Sequence, residues 1–349
     1  MKSIRGISLI ELMVAMAIGL VLVLALTIVI ARSSASQREL AQANRQLENG
    51  RYAMQVLTDE LHNAGFVGAL AATPVATKLP AICGKTAASY QFALSPGVFA
   101  FPASEAAGAG CIDAANYVAG TDALMVIRAD SNIVNWPLLD STVKPADASL
   151  YLQSDGQKIL ADVGGGTFNL TQQVCPLLSN KTRPATCLEK DKVVADADIR
   201  RLHVSLFYVS PCNRPKSGNY ADACDVTADD GRPVPTLRRL DLVDDKWVPS
   251  PVAEGIENLQ FELGLDESGT LDGAPDNFLA AKPTLAQMIN TVAVGVHLLA
   301  VNSDPVAGYK DDKSYNLGTT VVAAKNDAYH RHVFSRTVRL NNAAGRRVP

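Results

Sequence analysis

The chain has 349 residues, more than one modal domain but within reach of a single large one. Hydrophobic residues make up 48% and charged residues 19%, a globular composition that excludes fibrous and fully disordered classes. A formal charge of −3 leaves no broad basic footprint, so no nucleic-acid partner is expected; Arg200–Arg201, Arg238–Arg239 and Arg346–Arg347 read as solvated surface or strand ends.

The chain opens MKSIRG, with Lys2 and Arg5 as a short positive end. Leu12–Ala31 is then a run of 20 uncharged, mainly apolar residues, closed by Arg32. As a helix it reaches about 30 Å, the thickness of a bilayer's hydrocarbon core. The basic start predicts a cytoplasmic N-terminus, with the rest of the chain across the membrane. A cleaved secretory signal fits poorly, because the run is long and passes into a helical pattern; Ser33–Ser34–Ala35–Ser36 is the stretch that could serve as its cleavage site. A plain uncleaved anchor is the other simple reading. Glu11 stands immediately before the run. A carboxylate there is costly unless it snorkels to the headgroups or meets a positive partner.

Residues 37–62 continue the helical pattern. Leu40, Ala43, Leu47, Ala53, Met54, Leu57 and Leu61 fall at mixed three- and four-residue spacing, which predicts an apolar stripe for packing against a sheet. Gly50 is expected to bend or loosen this helix, and Gly65 and Gly68 to stop it. A helix from Ile7 to His62 is about 84 Å long.

Beyond it, Ala123–Arg128, Leu202–Val209, Leu259–Leu265, Val292–Val301 and His332–Leu340 read as strands. The most continuously apolar of them, Val292–Val301, is expected to be central. Segments 140–147, 162–198, 210–235 and 266–285 read as loops. The predicted fold is α+β: a long N-terminal helix packed on a mainly antiparallel β-sheet head, with a loop-rich, disulfide-containing central region. An inserted subdomain within 75–230 is one form that region can take. All six cysteines lie beyond the apolar run, which fits an oxidising compartment. The simplest connectivity is sequential: Cys83–Cys111, Cys175–Cys187 and Cys212–Cys224. Other pairings stay open.

No catalytic constellation stands out, and no enzyme activity is expected. His330-x-His332 can place two rings on one strand face but lacks a third metal ligand. Gly164–Gly165–Gly166 lacks the Gly-Lys-Ser/Thr of a phosphate loop and reads as a turn. No Gly-x-Ser-x-Gly elbow is present. The best weak metal candidate is calcium on Asp266, Asp272, Asp276 and Asn277, oxygen donors among turn-forming glycines. A solvated acidic loop is the plainer reading, and no other cofactor is expected.

Residues 6–14, Gly-Ile-Ser-Leu-Ile-Glu-Leu-Met-Val, resemble the class III signal of type IV pilins and pseudopilins. The resemblance implies a prepilin peptidase cut between Gly6 and Ile7, methylation of the new Ile7 amine, and Glu11 as the family's buried helix glutamate. Ile7 departs from the usual first mature residue, Phe. NGRYAMQVLTDELHNAGFVG at 49–68 is similar to PilW-type minor pilins, a group compared with the J-type pseudopilins of type II secretion. Weaker likeness lies in 255–266, 290–304 and 330–347. The resemblance implies a leader at 1–6, a transmembrane and assembly helix at 7–31, a helix extension at 32–68 and a periplasmic or extracellular head at 69–349. It further implies an inner-membrane precursor that enters a pilus, with other minor pilins, the major pilin, the peptidase and the inner-membrane assembly platform as partners. The expected function is a minor pilin of type IV pilus assembly, at initiation or the tip. Alternatives are a type II secretion pseudopilin and a membrane-anchored binding or adhesion protein.

Overall fold

A computed structural model of the chain describes residues 9–68, 76–90, 93–107, 109–134, 145–175, 192–267, 271–280 and 284–347. In chain order the elements are α1 (Leu9–Asn63), α2 (Ala87–Tyr90), β1 (Val98–Phe101), α3 (Ala103–Ala106), β2 (Ala123–Ala129), β3 (Leu150–Ser154), β4 (Ile159–Val163), β5 (Thr171–Val174), β6 (Val193–Asp196), β7 (Asp198–Ser210) and β8 (Thr236–Val243). There follow β9 (Lys246–Glu254), β10 (Ile256–Leu265), β11 (Asn277–Ala280), α4 (Leu285–Ile289), β12 (Thr291–Val301), β13 (Tyr315–Leu317), β14 (Thr320–Val322), β15 (Arg331–Arg339) and α5 (Asn341–Gly345).

The 55 residues of α1 contain no proline, and the helix runs unbroken for about 82 Å. Its halves live in different surroundings. From Leu9 to Ala41 nearly every residue is exposed. From Gln46 onward one face is buried: Gln46, Gly50, Ala53, Met54, Leu57, Thr58 and Leu61, the three- and four-residue spacing of a single helix stripe. The upper part of the predicted apolar stripe is therefore corrected. Leu40 is 63% exposed and Ala43 is exposed, and Gln46 and Gly50 take the inward positions. The helix continues through Gly50 without interruption. Gly50 packs tightly on the sheet: any Cβ there would enter the Phe334 ring. Gly65, at φ +68°, turns the chain out of the helix, and its N–H donates to Ile127 O at 2.9 Å.

Among the described residues two main antiparallel sheets build the head, beside the two-stranded pairs β5-β6 and β13-β14. The larger runs β1-β2-β7-β3-β4, with β8 on β7 and β9 on β8. β7 is its pivot: Asp198–Arg201 pairs β3, Leu202–Phe207 pairs β2 and Ser205–Ser210 pairs β8. The smaller runs β11-β10-β12-β15, so Thr291–Val301 is indeed an interior strand. Leu57 and Leu61 of α1, Leu124 and Phe207 of the larger sheet, and Phe261 and Val294 of the smaller share one apolar core. The centre of the chain thus feeds that core, with a satellite cluster of Tyr151, Phe168 and Ile199 beside it. Loop expectations need correction within 162–198 and 266–285, which hold the β5–β6 hairpin and β11.

Asp122 stitches the two sheets. Its N–H donates to Leu259 O at 2.8 Å and its Oδ2 accepts from Phe261 N–H at 3.1 Å. Burial pushes its carboxyl up to about 6, against the lowering pull of the Phe261 hydrogen bond. A carboxyl whose folded value lies above its unfolded value adds stability that is full below the unfolded value and lost as pH rises through the folded one. Asp122→Asn keeps an acceptor for Phe261 and removes the charge. It should stabilise the chain by about 1–3 kcal/mol at pH 7.5 and leave it little changed at pH 4. Denaturant midpoints at the two pH values check this; equal shifts at both would contradict it.

Candidate assembly interface

The exposed half of α1 is the first component. Its best 18-residue window has a mean hydropathy of 3.0 and no buried residue, which makes it long and apolar enough to cross a membrane. Glu11 sits in the first turn of the helix with its side chain exposed. Gly6 and Ile7 lie outside the described residues.

The second component is the junction where α1 leaves the head. Gln46 Nε2 donates to Ala300 O at 2.8 Å and to His330 O at 2.9 Å, bridging the end of β12 to the start of β15. One turn earlier, Gln42 Nε2 donates to Asp304 Oδ2 at 3.2 Å. These amides explain why the apolar stripe gives way here: at the sheet corner Gln46 meets two main-chain carbonyls and Gln42 a carboxylate. N-terminal to Gln42 none of the described helix residues is buried, and the mainly polar stretch 32–41, about 15 Å long, links the apolar run to the head.

Arg331, at the first position of β15, holds this corner. Nε pairs with Glu257 Oε2 at 2.5 Å, Nη1 with Asp311 Oδ2 at 2.8 Å and Nη2 with Asp327 Oδ2 at 2.6 Å. Asp311 also accepts from Tyr315 Oη at 2.8 Å. Burial pushes the Asp311 carboxyl up, but the Arg331 and Tyr315 hydrogen bonds outweigh it and hold it below the usual range. The Arg331 hydrogen bond likewise holds Asp327 down. Burial disfavours charge on Arg331 itself, yet its three carboxylates prevail and raise it. The guanidinium therefore ties the 302–330 excursion to β10 and β15 beneath the helix exit. Two hollows flank it. A cleft of about 630 Å³ is walled by Arg232, Glu257, Asp304, Asp327 and Arg331. A groove of about 490 Å³ lies between Leu40, Ala43 and Leu47 of α1 and His330 and His332.

Both histidines of the His330-x-His332 pair line that groove. His330 stacks on Tyr309 at 3.7 Å and His332 meets the Phe334 ring edge-on at 4.8 Å. Among the described residues no three His, Cys, Asp or Glu side chains gather as a metal site. The calcium candidates make contacts of their own within the 266–277 loop. Asp266 is fully buried, accepts from Gly273 N–H at 3.0 Å and faces Arg347 Nη1 at 3.6 Å. Asp272 accepts from Ala274 N–H and Asp276 from Glu267 N–H, each at 2.8 Å, and Asn277 Nδ2 points to Glu267 at 3.5 Å.

Disulfides join Cys83 to Cys111 and Cys212 to Cys224, with Cα separations of 5.5 and 5.7 Å. The remaining expected pair, Cys175–Cys187, includes Cys187, which lies outside the described residues. The arginine pairs are less superficial than their sequence suggests. Arg238 is fully buried on β8; its Nη2 donates to Cys212 O and Asn213 O, both at 3.1 Å, and Nη1 to Tyr220 O at 3.0 Å. Arg346 Nη2 donates to Gly65 O at 2.5 Å, and Arg347 Nη2 to Ile289 O at 2.7 Å. The C-terminal pair thus fastens the helix end to the smaller sheet.

Residues 225–342 match the family described as Type IV Pilus-assembly protein W, and residues 1–27 match the prokaryotic N-terminal methylation motif. No curated protein matches the chain. Among solved structures, a type IV-like pilin from Thermus thermophilus is similar at 14% identity and a TM-score of 0.23, over 57% of this chain and 84% of that one. Both matches cover only part of the chain: about a third of it is similar to the pilus-assembly family, and the apolar helix with its methylation motif is consistent with a membrane-anchored precursor.

Proposed function

We propose that this PilW-like chain is a minor pilin, cut between Gly6 and Ile7, methylated on Ile7, and incorporated at the initiating end or tip of a type IV pilus. The observation that carries the reading is the division of α1: one continuous helix is buried in the head from Gln46 onward and bare from Leu9 to Ala41. A bare apolar surface of that length needs cover. Lipid supplies it before assembly, and the helices of neighbouring subunits supply it afterwards. The head stands clear of the membrane on its polar spacer, on the periplasmic side. Its bulk is hard to repeat along a tight helical lattice, which favours a terminal position. Partners are then other minor pilins, the major pilin, the prepilin peptidase and the inner-membrane platform. The role is structural and no catalytic step is assigned.

Within this reading Glu11 compensates the amine of a neighbouring subunit's N-terminus as the helices bundle. Breaking a buried pair by removing one partner leaves the other charge uncompensated, at about 3–5 kcal/mol, or more than ~100-fold in incorporation. Glu11→Ala should therefore leave the membrane level and thermal midpoint of the chain unchanged and remove it from sheared filaments. Normal recovery of the variant in filaments would sink the role given to Glu11. Failure to find the wild-type chain in pili, with loss of protein secretion in a deletion strain, would move the chain to a secretion pseudopilin.

A further inference from the structure

The sheet edges of the head are not equally protected. β1, β4 and β11 are short, at 4, 5 and 4 residues. β9 has 9 residues but carries Pro249 and Pro251, which have no N–H to offer a neighbour. β15 also has 9 residues, contains no proline, and pairs β12 from Ala293↔Arg339 to Val301↔Arg331 without a register shift. It ends its sheet. Among the described residues, no hydrogen bond reaches the main chain of residues 332–339 apart from the ladder with β12. Alternate N–H and C=O groups along its outer side are therefore open to an incoming strand.

The surroundings specify what would bind. The groove between α1 and the start of β15 offers Leu40, Ala43 and Leu47 to apolar side chains of an extended segment. Farther along, Arg336 and Arg339 are exposed and have no ion pair among the described residues. β15 itself contains no Asp or Glu, so a second copy of it would bring only further cations to this edge and nothing to neutralise them. We infer that the free edge of β15 is the docking site for an extended segment of a different filament subunit that carries Asp or Glu, added to the smaller sheet as a fifth strand. The inference rests on the reading of this chain as a filament subunit. Main-chain hydrogen bonds would supply the attachment, and the arginines the choice of partner.

Hydrogen–deuterium exchange tests it on the full chain, in detergent and in purified filaments, reading peptides that cover residues 331–340. The outer amides of β15 should exchange more than about tenfold slower in the filament. The double variant Arg336→Glu, Arg339→Glu should keep the thermal midpoint of the free chain yet lose both incorporation and this protection. Arg336→Lys with Arg339→Lys should retain them. If the chain is present in filaments and β15 exchanges as fast as in detergent, or if the charge-reversed variant is protected like wild type, the inference is overturned while the filament reading stands. Protection of β15 in a dimer of the free chain would overturn the choice of a foreign partner. Absence of the chain from filaments sinks both readings.

Discussion

Replacing Arg331 with methionine should lower the stability of the full chain by about 3–5 kcal/mol at pH 7. The side chain is 2% exposed, and it is the shared cation of Glu257, Asp311 and Asp327. Methionine fills much of the volume but leaves three carboxylates crowded together. Asp311 carries most of the effect, because its side chain is fully buried; Asp327 is about a third exposed and water screens part of its share. The loss has a pH signature. Asp311 and Asp327 are held below their usual range in the wild type, so their contribution is present above the unfolded carboxylate value and fades as pH falls through the folded ones. The gap between variant and wild type should therefore narrow at strongly acidic pH, where the carboxylates of both are protonated. Denaturant midpoints across pH measure it. A loss below about 1 kcal/mol at pH 7 would show that the network is only a surface decoration. Because Arg331 fixes the corner from which α1 emerges, the same variant should loosen the hold of Gln46 on Ala300 and His330.

Removing the Cys212–Cys224 bridge by serine at both positions should cost about 3 kcal/mol. Part of the cost is the entropy returned to a segment whose bridged ends are 12 positions apart. The rest is particular to this head. Arg238, fully buried, finds carbonyl partners on Cys212, Asn213 and Tyr220, all within or at the edge of that loop. When the loop opens, a buried guanidinium loses them together, and the central β8 strand carries the consequence. Limited proteolysis should cut within residues 213–223 of the variant while the rest of the head stays resistant. An unchanged midpoint with an uncut loop would contradict the account.

These two sites also mark where sequence reading stops. The long helix was visible because a 20-residue apolar run and a stripe at helical spacing are local properties. β2, β7, β10, β12 and β15 were visible for the same reason: their apolar residues alternate or run continuously. β8 was not, because Arg238 and Arg239 interrupt its alternation and only the folded loop reveals that Arg238 points inward. β9 was hidden by Pro249 and Pro251, which an edge strand tolerates. The β5–β6 hairpin lies in a polar stretch that buries little. At the interface, Glu11 and the Gly6–Ile7 junction were legible as a motif. Gln46 and Arg331 were not, since their partners lie 254 and 284 positions away for Gln46, and 74 positions away for Arg331 at Glu257. Their residue types carried no signal; only the fold brings the acceptors to them. His330 and His332 show the converse. Their spacing offers two rings without a third ligand, and both rings make contacts beside the groove.

The central claim is that α1 is an assembly helix whose leader is removed, and the mature N-terminus tests it most directly. Mass spectrometry of the chain isolated from pili should find N-methylated Ile7 as the first residue, with the six leader residues absent. An intact Met1 in assembled protein, or a new terminus near Ser33, would contradict it.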